Sequence, residues 1–192
     1  DEYGFMYDRS FSSDVDMENR YVRTVVETSR SKKLGTVLKH FPGYGNNSDT
    51  HTGIAYDDRD YSEFENTDFK PFYQGIESGA DCILVSHNIV NCMDSEYPAS
   101  LSQKVHDILR NEFKFDGVIM TDDLIMDAIT DFTEDEAAAV TAAKCGNDLL
   151  CCSSVDTQYP AVLEAVQNGE IPETQVDASV KRILKKSEAK RS

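Results

Sequence analysis

Four short apolar segments punctuate the chain: Gly35–His40 (GTVLKH), Asp81–Ser86 (DCILVS), Gly117–Thr121 (GVIMT) and Asn147–Cys152 (NDLLCC). None shows the strict apolar–polar alternation of a half-solvated strand, so each reads as a strand covered on both faces. Segments with helical period or helix signals lie between them. Asp16–Lys33 precedes the first strand, and DFKPFYQGIESG precedes the second. SLSQKVHDILRNEF precedes the third, with Ser100 or Ser102 as N-cap. TEDEAAAVTAAKCG precedes the fourth, where Thr133 and Glu136 fit a capping box and Gly146 fits the stop. Two more helices are predicted near Tyr159–Gln167 and Glu173–Ala189.

Strand and helix alternate without hairpin signals, the pattern of an α/β protein with a parallel sheet and helices packed outside it. An open doubly wound sheet and a (β/α)8 barrel both satisfy it. Both do their chemistry in the loops that follow the C-terminal strand ends. The chain has 192 residues, 40% of them hydrophobic, which suffices for one domain with a core. No run of 18 apolar residues exists, so no membrane span is expected. The formal charge of −16 argues against a nucleic-acid partner, whose phosphates need a basic surface. The five cysteines (Cys82, Cys92, Cys145, Cys151 and Cys152) form no C-x-x-C pair, and they read as buried free thiols. The opening DEYGFMYDRS has no initiator methionine and no signal pattern, and it looks like an interior cut.

Three consecutive strands end in polar residues. The first delivers Lys39 and His40, the second His87, and the third Asp122 and Asp123. Asp123 suits a carboxylate opening a helix, whereas Asp122, at the last strand position, should look into the mouth of the fold. The loop LKHFPGYGNNSDTHTG after the first strand also carries Asp49 and His51, two residues apart and able to turn to one side. A carboxylate beside an imidazole orients the ring and makes a usable general acid and base. A solvated Asx or Ser/Thr turn is the simpler use of the same spacing. Metal ligation by His40, His51 and His87 is disfavoured, because Lys39 adjoins His40. GYGNNS lacks the GxxxxGK[ST] pattern of a phosphate loop. Cys151 and Cys152 point to opposite faces if they lie on a strand. His106 lies mid-helix and reads as structural or surface.

The order of motifs carries more. RSF at Arg9–Phe11, KHFPGYG at Lys39–Gly45, DTH at Asp49–His51, IESGAD at Ile76–Asp81, PASLS at Pro98–Ser102 and FDGVIMTDDL at Phe115–Leu124 occur in one chain. Together with the tail GEIPETQVDASVKRILKKS, this set resembles the catalytic domain of glycoside hydrolase family 3 over essentially the whole chain. It is most similar to the bacterial β-N-acetylhexosaminidases. The resemblance implies a retaining glycosidase on a (β/α) TIM-type barrel that acts on terminal β-linked N-acetylglucosamine, as in cell-wall fragments. It implies Asp122 as nucleophile, His51 as acid/base and Asp49 as the carboxylate that holds it. It also implies that Lys39, His40 and Arg9 contact the sugar; His87 joins them as a binding residue from the same rim. No metal and no organic cofactor is called for. A family 3 β-glucosidase is the neighbouring reading, disfavoured by the Asp49–His51 pair. A non-catalytic carbohydrate-binding remnant is the alternative from another class.

Two departures from the family pattern stand in the loop: Gly43-Tyr44-Gly45-Asn46 where the family often has G-H-G-D or a similar stretch, and Asp49-Thr50-His51 where it often has D-S-H. Length is a third, since such barrels have eight strands and usually exceed ~200 residues, and four strands are legible here. The chain is therefore expected to form one partial barrel domain over residues 1–192, with N-terminal strands missing and low activity by itself. Self-association, or pairing with the missing half, would cover its open edges. The segment Tyr44–Thr52 is expected to be poorly packed, with Pro42, Gly43 and Gly45 as hinges.

Overall fold

The computed structural model describes residues 7–191 apart from positions 46, 48 and 134. The strands are β1 (Val37–Phe41), β2 (Tyr56–Asp57), β3 (Cys82–Val85), β4 (Ile89–Val90) and β5 (Val118–Thr121). The helices are α1 (Val15–Ser31), α2 (Tyr61–Asn66), α3 (Phe69–Glu77), α4 (Gln103–Asp107), α5 (Asp127–Thr130), α6 (Asp135–Lys144), α7 (Val155–Gln167) and α8 (Glu173–Arg191). A 3₁₀ turn at Tyr7–Arg9 precedes them, and α4 continues into a π-helical turn at Ile108–Glu112.

The main sheet runs β1-β3-β5, all parallel. Val37, Cys82 and Val118 share one rung, and Lys39, Leu84 and Met120 another. Phe41 then pairs Val85 across a register shift, and Val85 pairs Thr121. Burial on both faces explains why these strands lack alternation. Between the sheet and its helices lies an aromatic core. The Phe41 ring stands edge-on to Phe72 at 5.1 Å and to Phe113 at 5.4 Å, and stacks with Phe69 at 5.7 Å. Ordinary end chemistry sets the helix limits. Asp14 caps α1 by accepting from the amides of Asp16 and Met17, and Ser102 caps α4 through the Val105 amide. Gly146 stops α6 with φ 109°. The expected Thr133–Glu136 capping box involves side chains outside the described residues.

Three expectations need correction. Asn147–Cys152 does not form a full fourth strand; it contributes a single parallel bridge, Met120 to Leu149. The cause is Asp148, whose side chain accepts the Ile119 amide at 2.9 Å and so takes a donor that a longer ladder would use. A second parallel pair, β2 with β4, forms from the loops that follow β1 and β3; two residues per strand are too few to leave a period in the sequence. The cysteines form no disulfide among the described residues, but only Cys82 and Cys145 are buried. Burial pushes both of these up to about 12, which leaves them inert.

β1 lies at the sheet edge, and Val37 on it is 49% exposed. Phe11, Tyr21 and Val25 are exposed beside it and line an open cleft of about 1020 Å³ together with Arg9, Lys39 and His40. An uncovered apolar edge of this kind is what a partial barrel should show. Among the described residues no helix is long and apolar enough to cross a membrane.

The buried Asp148 carboxylate clamps the far side of the sheet. It accepts from Arg110 at 2.6 Å, Arg182 at 2.8 Å and Ser179 at 2.8 Å, besides the Ile119 amide. It thus ties β5, α8 and the π-helical turn together. Asp148→Ala would leave the Arg110 guanidinium half-buried without its partner, a loss of about 3–5 kcal/mol. Urea unfolding should show this as a lower midpoint with an unchanged slope.

Candidate active site

The parallel register brings the C-terminal ends of β1, β3 and β5 to one rim. Lys39 and His40 lie near the C-terminal end of β1, and Asp122 directly follows β5, its amide bonded to the Val85 carbonyl at 3.3 Å. His40 Nε2 lies 3.8 Å from Asp122 Oδ2. The His40 ring is buried, whereas the Asp122 side chain remains 27% exposed toward the mouth. Its other oxygen accepts the Asp123 amide at 3.0 Å. Burial, and next the positive charge of Lys39, push the His40 pKa down to about 4. His40 is therefore a neutral imidazole near pH 7. Its Nδ1 is buried without a hydrogen-bond partner among the described residues, so it is a polar atom with capacity for a ligand hydroxyl.

The loop after β1 carries the second pair. His51 Nδ1 and Asp49 Oδ1 are 2.6 Å apart, and the same oxygen accepts the His51 amide at 3.0 Å. Slight burial raises the Asp49 carboxyl, but the backbone and side-chain hydrogen bonds from His51 outweigh it and hold the carboxyl below its usual range. The His51 side chain is 61% exposed. Thr50, between Asp49 and His51, accepts the Ala128 amide at 3.3 Å, which brings this loop against the helix that follows Asp122. Arg9 lines the cleft with Lys39 and exerts its charge on both His40 and Asp49. Among the described residues no group of three or more His, Cys, Asp or Glu side chains is disposed to hold a metal ion.

His87 is not on the rim. It is fully buried, with Nδ1 bonded to Ser100 Oγ at 2.7 Å and Nε2 to the Asp123 carbonyl at 3.0 Å. Both ring nitrogens are engaged, so the expected direct sugar contact does not fit; His87 instead holds the backbone beside Asp122. Asp123 opens no helix either. Its carboxylate accepts the amides of Ile125 and Ser153 and the Ser153 hydroxyl, joining two rim loops. His106 is structural, buried with Nδ1 on the Ser102 carbonyl at 2.7 Å.

The loop is better packed than its glycines suggest. Positions 46 and 48 of the segment lie outside the described residues, but Tyr44 and Thr50 are buried and bonded to each other. This counts against a segment that is loose throughout. The cause lies partly in residues the sequence reading passed over. Arg59 bridges Asp57 and Asp68, each at 2.8 Å, and covers the Phe64 ring at 4.1 Å. Asn47 then donates to Asp57 at 2.8 Å. The available signal was the charged run Asp57-Asp58-Arg59-Asp60, which carries more charge than a plain connector needs.

An imidazole oriented by a carboxylate can act as general acid and base, and a part-exposed carboxylate at the rim can act as nucleophile, two roles that a retaining glycoside hydrolase needs. Comparison with known proteins agrees. The glycosyl hydrolase family 3 N-terminal domain matches residues 2–186, and the chain belongs to that family. A β-hexosaminidase of Hydrogenovibrio crunogenus is 34% identical over 161 residues, covering 83% of this chain and 45% of the relative. One of Nitrosomonas eutropha is 35% identical over 153 residues, covering 78% and 44%. The solved structure of a family 3 β-N-acetylglucosaminidase from Paenibacillus superposes with a TM-score of 0.90 at 29% identity, covering 95% of this chain and 36% of that one. The chain thus spans less than half the length of the curated relatives it matches. Its fold is a portion of the (β/α) barrel of these domains.

The buried histidines make stability depend on pH. His40, His87 and His106 all have lowered pKa values, chiefly through burial. The unfolded chain therefore binds protons more readily than the folded one between the ordinary histidine value of 6.5 and about 4. Stability should be lost as pH falls through that window. Thermal melts in steps from pH 7 to pH 4.5 should show the midpoint falling, and His106→Gln should flatten the slope.

Proposed function

We propose that this chain carries the catalytic groups of a retaining β-N-acetylglucosaminidase. The observation that carries the reading is the Asp49–His51 pair, closed at 2.6 Å on the loop beside the His40–Asp122 couple. Asp122 attacks the anomeric carbon, and a carboxylate–sugar ester forms as the glycosidic C–O bond breaks. His51 gives its proton to the leaving oxygen. Asp49 occupies Nδ1, so Nε2 is the nitrogen that exchanges the proton. In the second half His51 takes a proton from water, the oxygen attacks the same carbon, and the ester bond breaks to restore Asp122. Two displacements at one carbon return the β configuration. His40 stays neutral and offers hydrogen bonds to sugar hydroxyls, while Lys39 and Arg9 add charged donors from the cleft wall.

The names borne by the relatives, β-hexosaminidase and β-N-acetylglucosaminidase, support the sugar assignment. We place residues 1–192 in one barrel domain whose sheet continues past the open β1 edge, either through further strands of a longer polypeptide or through a second copy. Transition-state binding needs the whole pocket, so the isolated chain should turn over slowly or not at all.

The test is hydrolysis of aryl β-N-acetylglucosaminide against aryl β-glucoside, by this chain and by a longer polypeptide carrying it. The N-acetylglucosaminide should be preferred. His51→Ala should lower kcat by about 10²–10⁴-fold, the range of a lost general acid. A 2-fluoro sugar should label Asp122. Preference for the glucoside would overturn the sugar assignment, and absence of any turnover or label would overturn the enzymatic one.

A further inference from the structure

Tyr44 and Thr50, both at loop positions that depart from the family pattern, are bonded to each other. The Tyr44 hydroxyl oxygen accepts the Thr50 amide at 2.9 Å and lies 2.8 Å from the Thr50 hydroxyl. Both side chains are buried, Tyr44 7% exposed and Thr50 2%. Resting on the glycosidase reading above, we infer that Tyr44 is a positioning residue. Its hydroxyl latches Thr50 and thereby fixes the Asp49–His51 pair over the His40–Asp122 couple.

The geometry supports a latch rather than plain packing. Thr50 is the residue between Asp49 and His51, and both of its neighbours in the dyad move if its peptide planes turn. Its amide is held from the β1 side by Tyr44, whose ring stands edge-on to His40 at 5.7 Å. Its carbonyl is held from the β5 side by the Ala128 amide at 3.3 Å, in the helix that follows Asp122. Thr50 thus joins the two strand ends that carry the rest of the site. Among the described residues, the Tyr44 hydroxyl is the group that meets both the amide and the hydroxyl of Thr50. Without it a buried donor and a buried hydroxyl would lack partners, and the loop would have to open to water to satisfy them. The ring can pack against His40 without the hydroxyl; only the latch needs the oxygen.

Tyr44→Phe separates the two roles, because it keeps the ring and removes the oxygen. In the variant the Thr50 amide should exchange with deuterium about tenfold faster or more. The downfield proton signal of the His51–Asp49 hydrogen bond should broaden or vanish. With an aryl β-N-acetylglucosaminide, kcat should fall about tenfold, as for one net hydrogen bond, with KM within about twofold. Thr50→Val keeps the amide bond and loses the hydroxyl pair, so it should give smaller changes in the same direction. It carries the test should Tyr44→Phe fold poorly. Unchanged Thr50 exchange and an unchanged His51 signal in both variants would overturn the latch. So would a loss of kcat matched by an equal rise in KM. If a longer polypeptide carrying this chain, unsubstituted, shows no turnover while Thr50 exchange and the His51 signal still respond, the latch stands and only the glycosidase reading fails.

Discussion

The parallel register of β1, β3 and β5 is the constraint on which the rest of this molecule depends. Because Phe41, Val85 and Thr121 end on one shared rung, the residues beside and just beyond them reach one rim without any long-range sequence signal. His40 and Asp122 are 82 positions apart in the chain (122 − 40) and 3.8 Å apart in space for that reason alone. The register is itself secured at two places. The Phe41, Phe69, Phe72 and Phe113 cluster packs the helices on one face. Asp148 gathers two arginines, a hydroxyl and a strand amide at the other end of the sheet.

The site draws its character from contrasts in exposure. His40 and Asp122 touch, yet the imidazole is enclosed and the carboxylate looks outward. Enclosure and the adjacent lysine keep His40 uncharged, so it serves as a polar wall rather than a counter-ion. The dyad on the loop is arranged the other way round. There the imidazole is the more exposed partner, as suits a group that must hand a proton to something arriving from solvent, and the carboxylate behind it fixes the tautomer. The two histidines thus occupy opposite environments, one enclosed and one exposed, which is what the proposed roles of neutral binder and proton carrier require.

The loop between these pairs shows why glycines alone are a poor guide to mobility. Gly43 and Gly45 do adopt positive φ, 138° and 54°. Those angles let the backbone pass close to Asp68 and Arg59, where an added Cβ would meet side-chain atoms at 2.0 and 2.8 Å. Here the freedom of glycine serves close approach to a charged network, and the outcome is an anchored turn.

The local chain by itself determined the alternation of strand and helix, the three strands that end in polar residues, most helix limits and the Asp49–His51 pairing. Each of these is set within a few residues by burial period, capping chemistry or side-chain reach. The motif order carried the family as well. Tertiary structure decided what depends on competition between distant groups. Asp148 took the Ile119 amide, so the expected fourth strand shrank to one bridge. Ser100 and the Asp123 carbonyl claimed both nitrogens of His87, so a residue read as a sugar contact became a support. Ser153 claimed Asp123. In every case a hydrogen-bonding group had a partner far away in sequence, and a buried polar atom binds whatever the fold brings within reach. That choice is made only when the elements have packed, so no stretch of the sequence read alone contains it.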